Sequence, residues 1–281
     1  MRTILRALKV IFLTSMVTTF LTACGGGGGG VAGVVATTSN AKSTGVFANV
    51  SGLTYSTGSQ GASTSASGAF SYKTGDTITF SVGDIVVGKA TGRALVTPLH
   101  LIPGADAANT NVVNIMRFLM SIGTYDTTKL TISIPPAVLV AAKDKVIDFS
   151  NTNDQALLDM VRLLSGNSSA TLVDAPAANS FLSRIIYKYY GGSYKGTFTG
   201  PASSNAWEMT INANDGTITG QGVGGAQEVI VGSMSGGINM TAVASGACDL
   251  SGKLNIFTGE LSGNWQYPAN LSQNGTFKGT K

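Results

Sequence analysis

From Ser193 to Lys281 apolar and polar residues alternate with a period of two. Trp207, Met209 and Ile211 interleave with Glu208, Thr210 and Asn212, and Ile238, Met240 and Ala242 interleave with Asn239 and Thr241. Leu261, Gly263, Trp265 and Tyr267 share one side in the same way. Successive side chains of a strand point to opposite faces, so each run is a strand with one apolar and one polar face. The runs predict strands near 194–200, 206–213, 216–223, 227–235, 237–245, 251–258, 260–267 and 274–280. Asn214-Asp215-Gly216 and Gly236-Gly237 are hairpin turn signals between them. Connections this short make neighbouring strands antiparallel. An eight-stranded meander with one apolar face hides both edges by closing into a barrel; the alternative is a twisted open sheet laid on helices. A pattern Gly-x-apolar-x-Gly occurs five times here, at Gly196–Gly200, Gly216–Gly220, Gly232–Gly236, Gly259–Gly263 and Gly275–Gly279. Its glycines and apolar centre face the same way, and inward glycines permit tight bends and close backbone approach.

The periodicity is helical between Asn109 and about Gly192. Val112, Ile115, Met116, Leu119 and Met120 fall on one helical face. Asn153 and Asp154 are placed to cap a helix over Gln155–Leu164 that ends at Gly166, and Asp174 with Pro176 opens another that stops at Gly191-Gly192. Ala137–Val146 is a candidate for one more. Before this, Val46 to about Pro103 is β-like: Thr77–Val82 and Ala69–Tyr72 alternate, and Gly/Ser/Thr clusters punctuate them. The expected class is α+β, mainly β. It comprises a small β-sandwich at 46–106, a helical segment at 107–192 and an eight-stranded antiparallel meander or barrel at 193–281.

The amino terminus has a different character. Arg2, Arg6 and Lys9 precede the apolar run Val10–Leu21, which ends in Leu21-Thr22-Ala23-Cys24. A run of that length rises about 18 Å as a helix, short of the ~30 Å hydrocarbon core, so it reads as a cleaved leader over 1–23. Small residues before a cysteine resemble the lipobox of bacterial lipoproteins. That resemblance implies acylation of Cys24, which becomes the first residue of the mature chain, and a membrane partner held through an acyl anchor. With Gly25 rather than Asp after the cysteine, it also implies sorting to the outer membrane, with a periplasmic or surface-exposed face left open. Gly25–Gly30 cannot form a stable helix or strand, so 24–45 reads as a flexible tether. A further resemblance covers about 80 residues. It is carried by Val50–Tyr55, Ser67–Tyr72, Gly75–Gly83 and Val96–Leu99, and runs on through Asn114–Leu119. These look like a recurrent module of bacterial lipoproteins, related in plan to carboxypeptidase-regulatory-like β-sandwiches. His100 stands where that pattern carries an acidic residue.

Composition narrows the chemistry. Charged residues are 11% of the chain, against ~25% in an average protein. Three of the 18 basic residues fall in the leader, which leaves the rest nearly balanced against 14 acidic ones. Nucleic acid, which needs a dense basic surface, is therefore not an expected partner. With Cys24 acylated, Cys248 has no disulfide partner and reads as a buried small residue. Its single His and free Cys cannot furnish a zinc site, and no metal or cofactor is expected. Gly83–Lys89 matches half of a phosphate-binding loop, but Ala90 stands where Ser or Thr should hold magnesium and the run is strand-like. His100, the only imidazole, reads as a satisfied or exposed loop residue at a strand end. The cluster Tyr187, Tyr189, Tyr190 and Tyr194 suits a sugar-stacking or cation-binding patch, and suits a domain junction better. Glu208, Asp215, Glu228, Asp249 and Glu260 could supply a carboxylate pair, but Asp215 is explained by its turn and the others as outward solubilising groups.

No catalytic residue is assigned. The expected role is a non-enzymatic binding or structural module of the cell envelope. One alternative is a calycin-like container for a small apolar ligand, lined by Trp207, Trp265 and Tyr267. The plan is also similar to surface lipoproteins that capture proteins, which would make the outside of the barrel the active surface. A carboxylate hydrolase ranks last.

Overall fold

The computed structural model describes residues 42–58, 60–201, 205–223, 228–245 and 248–281, so the expected leader, Cys24 and the expected tether as far as residue 41 lie outside them. Regular structure begins before the expected end of the tether. Strand β1 (Lys42–Phe47) already pairs Lys42 with Lys73 and Ser43 with Tyr72, because its inward Gly45 and Phe47 belong to the core. There follow β2 (Val50–Ser51), β3 (Thr54–Thr57), β4 (Gln60–Ser63), β5 (Ala69–Lys73), β6 (Thr77–Val82), β7 (Ile85–Thr91) and β8 (Leu95–Val96). One sheet has the order β5-β1-β8, with β1 antiparallel to β5 and parallel to β8; a second, β4-β3-β6-β7, is antiparallel throughout. The alternation in β6 turns Ile78, Phe80 and Val82 inward, all fully buried. Phe80 meets Phe47 and Phe70 of the other sheet at ring separations of 4.4 and 5.1 Å, which makes the sandwich core.

The chain then turns helical: α1 (Pro98–Leu101), α2 (Thr110–Ile122), β9 (Thr124–Asp126), β10 (Thr131–Ser133), α3 (Pro136–Ala141), α4 (Asp154–Ser165) and α5 (Ala175–Tyr190). The caps are those the sequence offers. Asn109 accepts from Asn111 N and Val112 N, Asn153 from Ala156 N, and Asp174 from Ala177 N, so orphan amides of α2, α4 and α5 are satisfied. Three features differ from expectation. The helix expected over 137–146 ends at Ala141, His100 lies in α1 rather than at a strand end, and β9 and β10 break the helical segment. In this last feature β10 pairs in parallel with β2, Ile132 opposite Val50, so a buried two-residue strand recruits a partner far along the chain. Arg117 of α2 grips Asp154 at the start of α4 through two bonds of 2.7 and 2.9 Å and donates to Val173 O at 2.8 Å. That fork holds the Asp154 carboxyl below its ordinary range.

The last region is a closed barrel of eight antiparallel strands: β11 (Gly192–Thr199), β12 (Ala206–Ile211), β13 (Thr217–Val223), β14 (Val229–Ser235), β15 (Asn239–Ala244), β16 (Cys248–Asn255), β17 (Glu260–Tyr267) and β18 (Asn270–Thr280). Each strand pairs with the next, and β18 closes on β11, Phe277 opposite Phe198. The open-sheet alternative is thereby excluded. Most large apolar side chains point in and most polar ones out, the reverse of a barrel that faces lipid, although Val229, Val231 and Val243 are exposed on the outer face of β14 and β15. No described helix is long and apolar enough to cross a membrane.

Candidate functional site

The repeated glycines explain how eight short strands enclose large rings. A Cβ on Gly196 would lie 2.4 Å from the Trp207 ring, and one on Gly279 would lie 2.6 Å from it. Gly252 and Gly263, opposite one another on β16 and β17, lie in the same way under the Phe277 ring, with added Cβ atoms 2.7 and 2.8 Å away. Each ring therefore takes the volume its neighbours on the wall give up. Phe198, Trp207 and Phe277 form a mutual cluster with centroids 6.0–6.3 Å apart. Tyr194, Trp207 and Leu261 are 0% exposed, and Phe277, Met209, Met240 and Ile218 are 1%. Of the three residues that would line a container, Trp207 and Trp265 are buried within this packing. Trp207 Nε1 is buried there without a hydrogen-bond partner among the described residues. Trp265 donates to Thr199 O at 3.1 Å, while Tyr267, after a bulge in β17, is only half-buried and donates to Glu228 at 3.1 Å.

The outer wall is built from the residues between the glycines. Thr217, Ser233, Thr241, Ser251, Asn264, Thr276 and Thr199 stand side by side in register across consecutive strands, all exposed. They form one continuous row of hydroxyl and amide groups. Where this row crosses β16–β18 it borders a surface groove of about 770 Å³. Ser251, Asn264 and Thr276 line one side, and Lys253, Glu260 and Lys278 the other. Lys278 pairs with Glu260 at 2.7 Å, and Lys253 forms no ion pair among the described residues. Because the side chains of Met240 and Phe277 are buried, they and the two glycines give backbone to the groove floor. Such a surface offers many exposed hydrogen-bonding groups and one uncommitted cation.

The remaining candidates are dispersed. Glu208 pairs with Lys195 and Glu260 with Lys278, each at 2.7 Å, Asp215 accepts from Thr217 in its turn, and Asp249 is exposed. Among the described residues no cluster of three His, Cys, Asp or Glu could hold a metal ion. Gly83–Lys89 is the turn and strand of the β6–β7 hairpin, and Lys89 stands beside Thr79. Cys248 is buried at the start of β16, where burial pushes its thiol upward in pKa. Cys24 lies outside the described residues.

His100 and the tyrosines meet instead where the barrel abuts the rest of the molecule. Buried His100 accepts from Thr97 N at 3.0 Å through Nδ1 and faces Ile256 O at 3.3 Å with Nε2, which fixes the neutral Nε2–H tautomer. Desolvation lowers its pKa to about 4. Tyr190 also donates to Ile256 O, Tyr187 donates to Met234 O at 2.9 Å, and Tyr189 donates to Asn49 at 3.1 Å. Tyr194 donates to Tyr190 O at 2.7 Å, and burial pushes its phenol up to about 12. The cluster is a junction, with every hydroxyl committed to a protein acceptor. The outer row escapes a reading of the sequence, although four of its seven residues, Thr199, Thr217, Ser233 and Thr276, occupy "x" positions of the glycine repeat. Only the register shows that those positions align from strand to strand.

Comparison with protein-family models, with curated proteins and with solved structures finds no match to this chain.

Proposed function

We propose that this chain is a lipid-anchored, non-enzymatic binding or structural module of a bacterial outer membrane, held at Cys24 and working through the outer wall of its barrel. The observation that carries the reading is the filled interior. Rings seated on glycines leave the barrel's contact surface on its outside, where the hydroxyl and amide row and the groove at Lys253 lie. The apolar run, the small residues before Cys24 and the glycine run after it are the sequence features that favour an anchor and a spacer. Acyl chains contribute ~0.8 kcal/mol per buried CH₂, so several of them hold a protein on a membrane durably.

The anchor is tested by expressing the native chain and Cys24→Ser in a diderm host and separating membrane from soluble fractions. The native chain is expected in the outer membrane with an acylated amino-terminal peptide by mass spectrometry, and Cys24→Ser in the soluble fraction. An unmodified Cys24, or a variant still membrane-bound, overturns the reading. Protease added to intact and permeabilised cells then decides which face carries the barrel.

A further inference from the structure

Away from the outer wall, a cleft of about 310 Å³ opens at the junction, between the loop that joins β7 to β8, the end of α5 and the turn from β16 to β17. Arg93 comes from the loop, Tyr189 and Tyr190 from α5, and Phe257 from the turn. That volume lies at the small end of the ~300–1,000 Å³ of ligand sites, which are mostly apolar, carry a few placed polar groups and favour such junctions. Arg93 is the one charged residue among the described residues that line it. Its guanidinium is positioned without being neutralised. Cζ lies 4.6 Å from the centroid of the Phe257 ring, within cation–π range. Arg93 forms no ion pair among the described residues, and its hydrogen bond there, from Nε to Thr91 O, is long at 3.4 Å. The donors on Nη1 and Nη2 are therefore left for another acceptor. Its charge adds to desolvation in lowering the pKa of His100, so the guanidinium lies close to that imidazole as well. Phe257 is also held in place with surface to spare: its ring meets His100 in a T-shaped contact at 5.2 Å and carries Arg93, yet the residue is 51% exposed.

We propose that this cleft binds a small aromatic carboxylate, its carboxylate on Nη1 and Nη2 of Arg93 and its ring against Phe257 and the two tyrosines. A guanidinium fork matches a carboxylate in two parallel bonds. The tyrosine hydroxyls are committed to Asn49 and to Ile256 O, so these residues offer ring surface rather than hydrogen bonds. A sugar finds few partners on such walls. An inorganic anion meets Arg93 and leaves the rings uncovered, and a cation is repelled. A planar ring gains ring-to-ring contacts that an aliphatic chain lacks. The site is independent of the membrane anchor and of the barrel's outer wall.

The test titrates the full chain in detergent with benzoate at constant ionic strength and neutral pH, and follows the Cε1 proton of His100 by nuclear magnetic resonance. His100 is the single imidazole of the chain and touches Phe257, so one signal reports on the cleft. A saturable shift is expected with benzoate. Benzamide, which has the same shape without the charge, and acetate, which has the charge without the ring, should each bind at least about tenfold more weakly. Arg93→Gln is expected to bind benzoate no better than benzamide, with an unchanged circular dichroism spectrum. Phe257→Leu keeps the cation, and should weaken benzoate while leaving acetate as it was. No saturable shift with benzoate, equal affinity for benzamide or acetate in the native chain, or undiminished benzoate binding by Arg93→Gln each overturns the proposal.

Discussion

The barrel and the region before it solve the same problem of burial with opposite connectivity. In the barrel every strand pairs with its neighbour in sequence, and closure needs one distant pairing, β18 with β11. Before it, β1 is flanked by β5 and β8, and β2 finds β10 some eighty residues away. The cores differ accordingly. Before the barrel, tightly buried Phe, Ile, Val and Leu interlock between sheets and helices, whereas inside the barrel the large rings of Trp207 and Phe277 lie on bare backbone with Met209, Ile218, Met240, Leu250 and Leu261 packed beside them. Ring-on-glycine filling should place a larger share of stability on each ring, and interlocking should spread it over many side chains.

The comparison is broken most severely at Trp207. Its ring rests on Gly196 and Gly279 and touches Phe198 and Phe277, so Trp207→Ala removes the centre of the stack and leaves glycines that cannot fill the hole. The expected loss is about 3–5 kcal/mol, measured by urea unfolding. Phe80→Ala in the sandwich, an equally buried ring among many interlocking neighbours, should cost less, towards the lower end of that range. Comparable losses at the two sites would refute the larger share placed on each barrel ring. Gly275→Val attacks the same design from the wall, since a Cβ there would fall 2.6 Å from Trp265 and closer still to Thr199 O. It is expected to abolish soluble folded protein.

Next in size is the junction. His100 titrates near 4 in the folded chain and near 6.5 when unfolded, so between these values the unfolded state holds more protons. Stability from the neutral ring is therefore complete above about pH 6.5 and is lost as pH falls towards 4. The full loss is about 3 kcal/mol, because each pH unit between the two values is worth ~1.36 kcal/mol. Urea midpoints at neutral pH and near pH 4.5 should differ less in His100→Gln than in the native chain, because the variant has no imidazole to protonate on unfolding. Identical acid sensitivity in both would remove His100 from the junction's energetics.

These differences also explain what the sequence could disclose. All eight barrel strands are legible because alternation, turn residues and pairing are local, and the caps at Asn109, Asn153 and Asp174 are legible because a capping side chain acts within three residues. The β2–β10 pairing is not, because two-residue strands have no period to read and their partner is chosen by burial across a long separation. Lys42–Gly45 resembles the tether in composition and becomes a strand only because β5 offers it an edge. The outer row is invisible for the same reason. Ser, Thr and Asn are ordinary surface residues until register or helix packing gathers them.

The smallest effect probes how closely the two regions are joined. Tyr187 reaches from α5 to the β14 carbonyl of Met234, a buried bond of 2.9 Å, while its ring holds the turn at Gly216. Tyr187→Phe keeps the ring and removes only the hydroxyl, leaving a carbonyl whose lost bond is worth about 1 kcal/mol. If the barrel and the preceding region unfold together, near-ultraviolet circular dichroism from the barrel tryptophans and far-ultraviolet signal from the helices should shift by the same amount in urea. If they separate, the variant should widen the gap between the two transitions, and the barrel signal should be the less affected. Its strands keep their local partners when the junction loosens, whereas α5 loses a contact that only the barrel supplies.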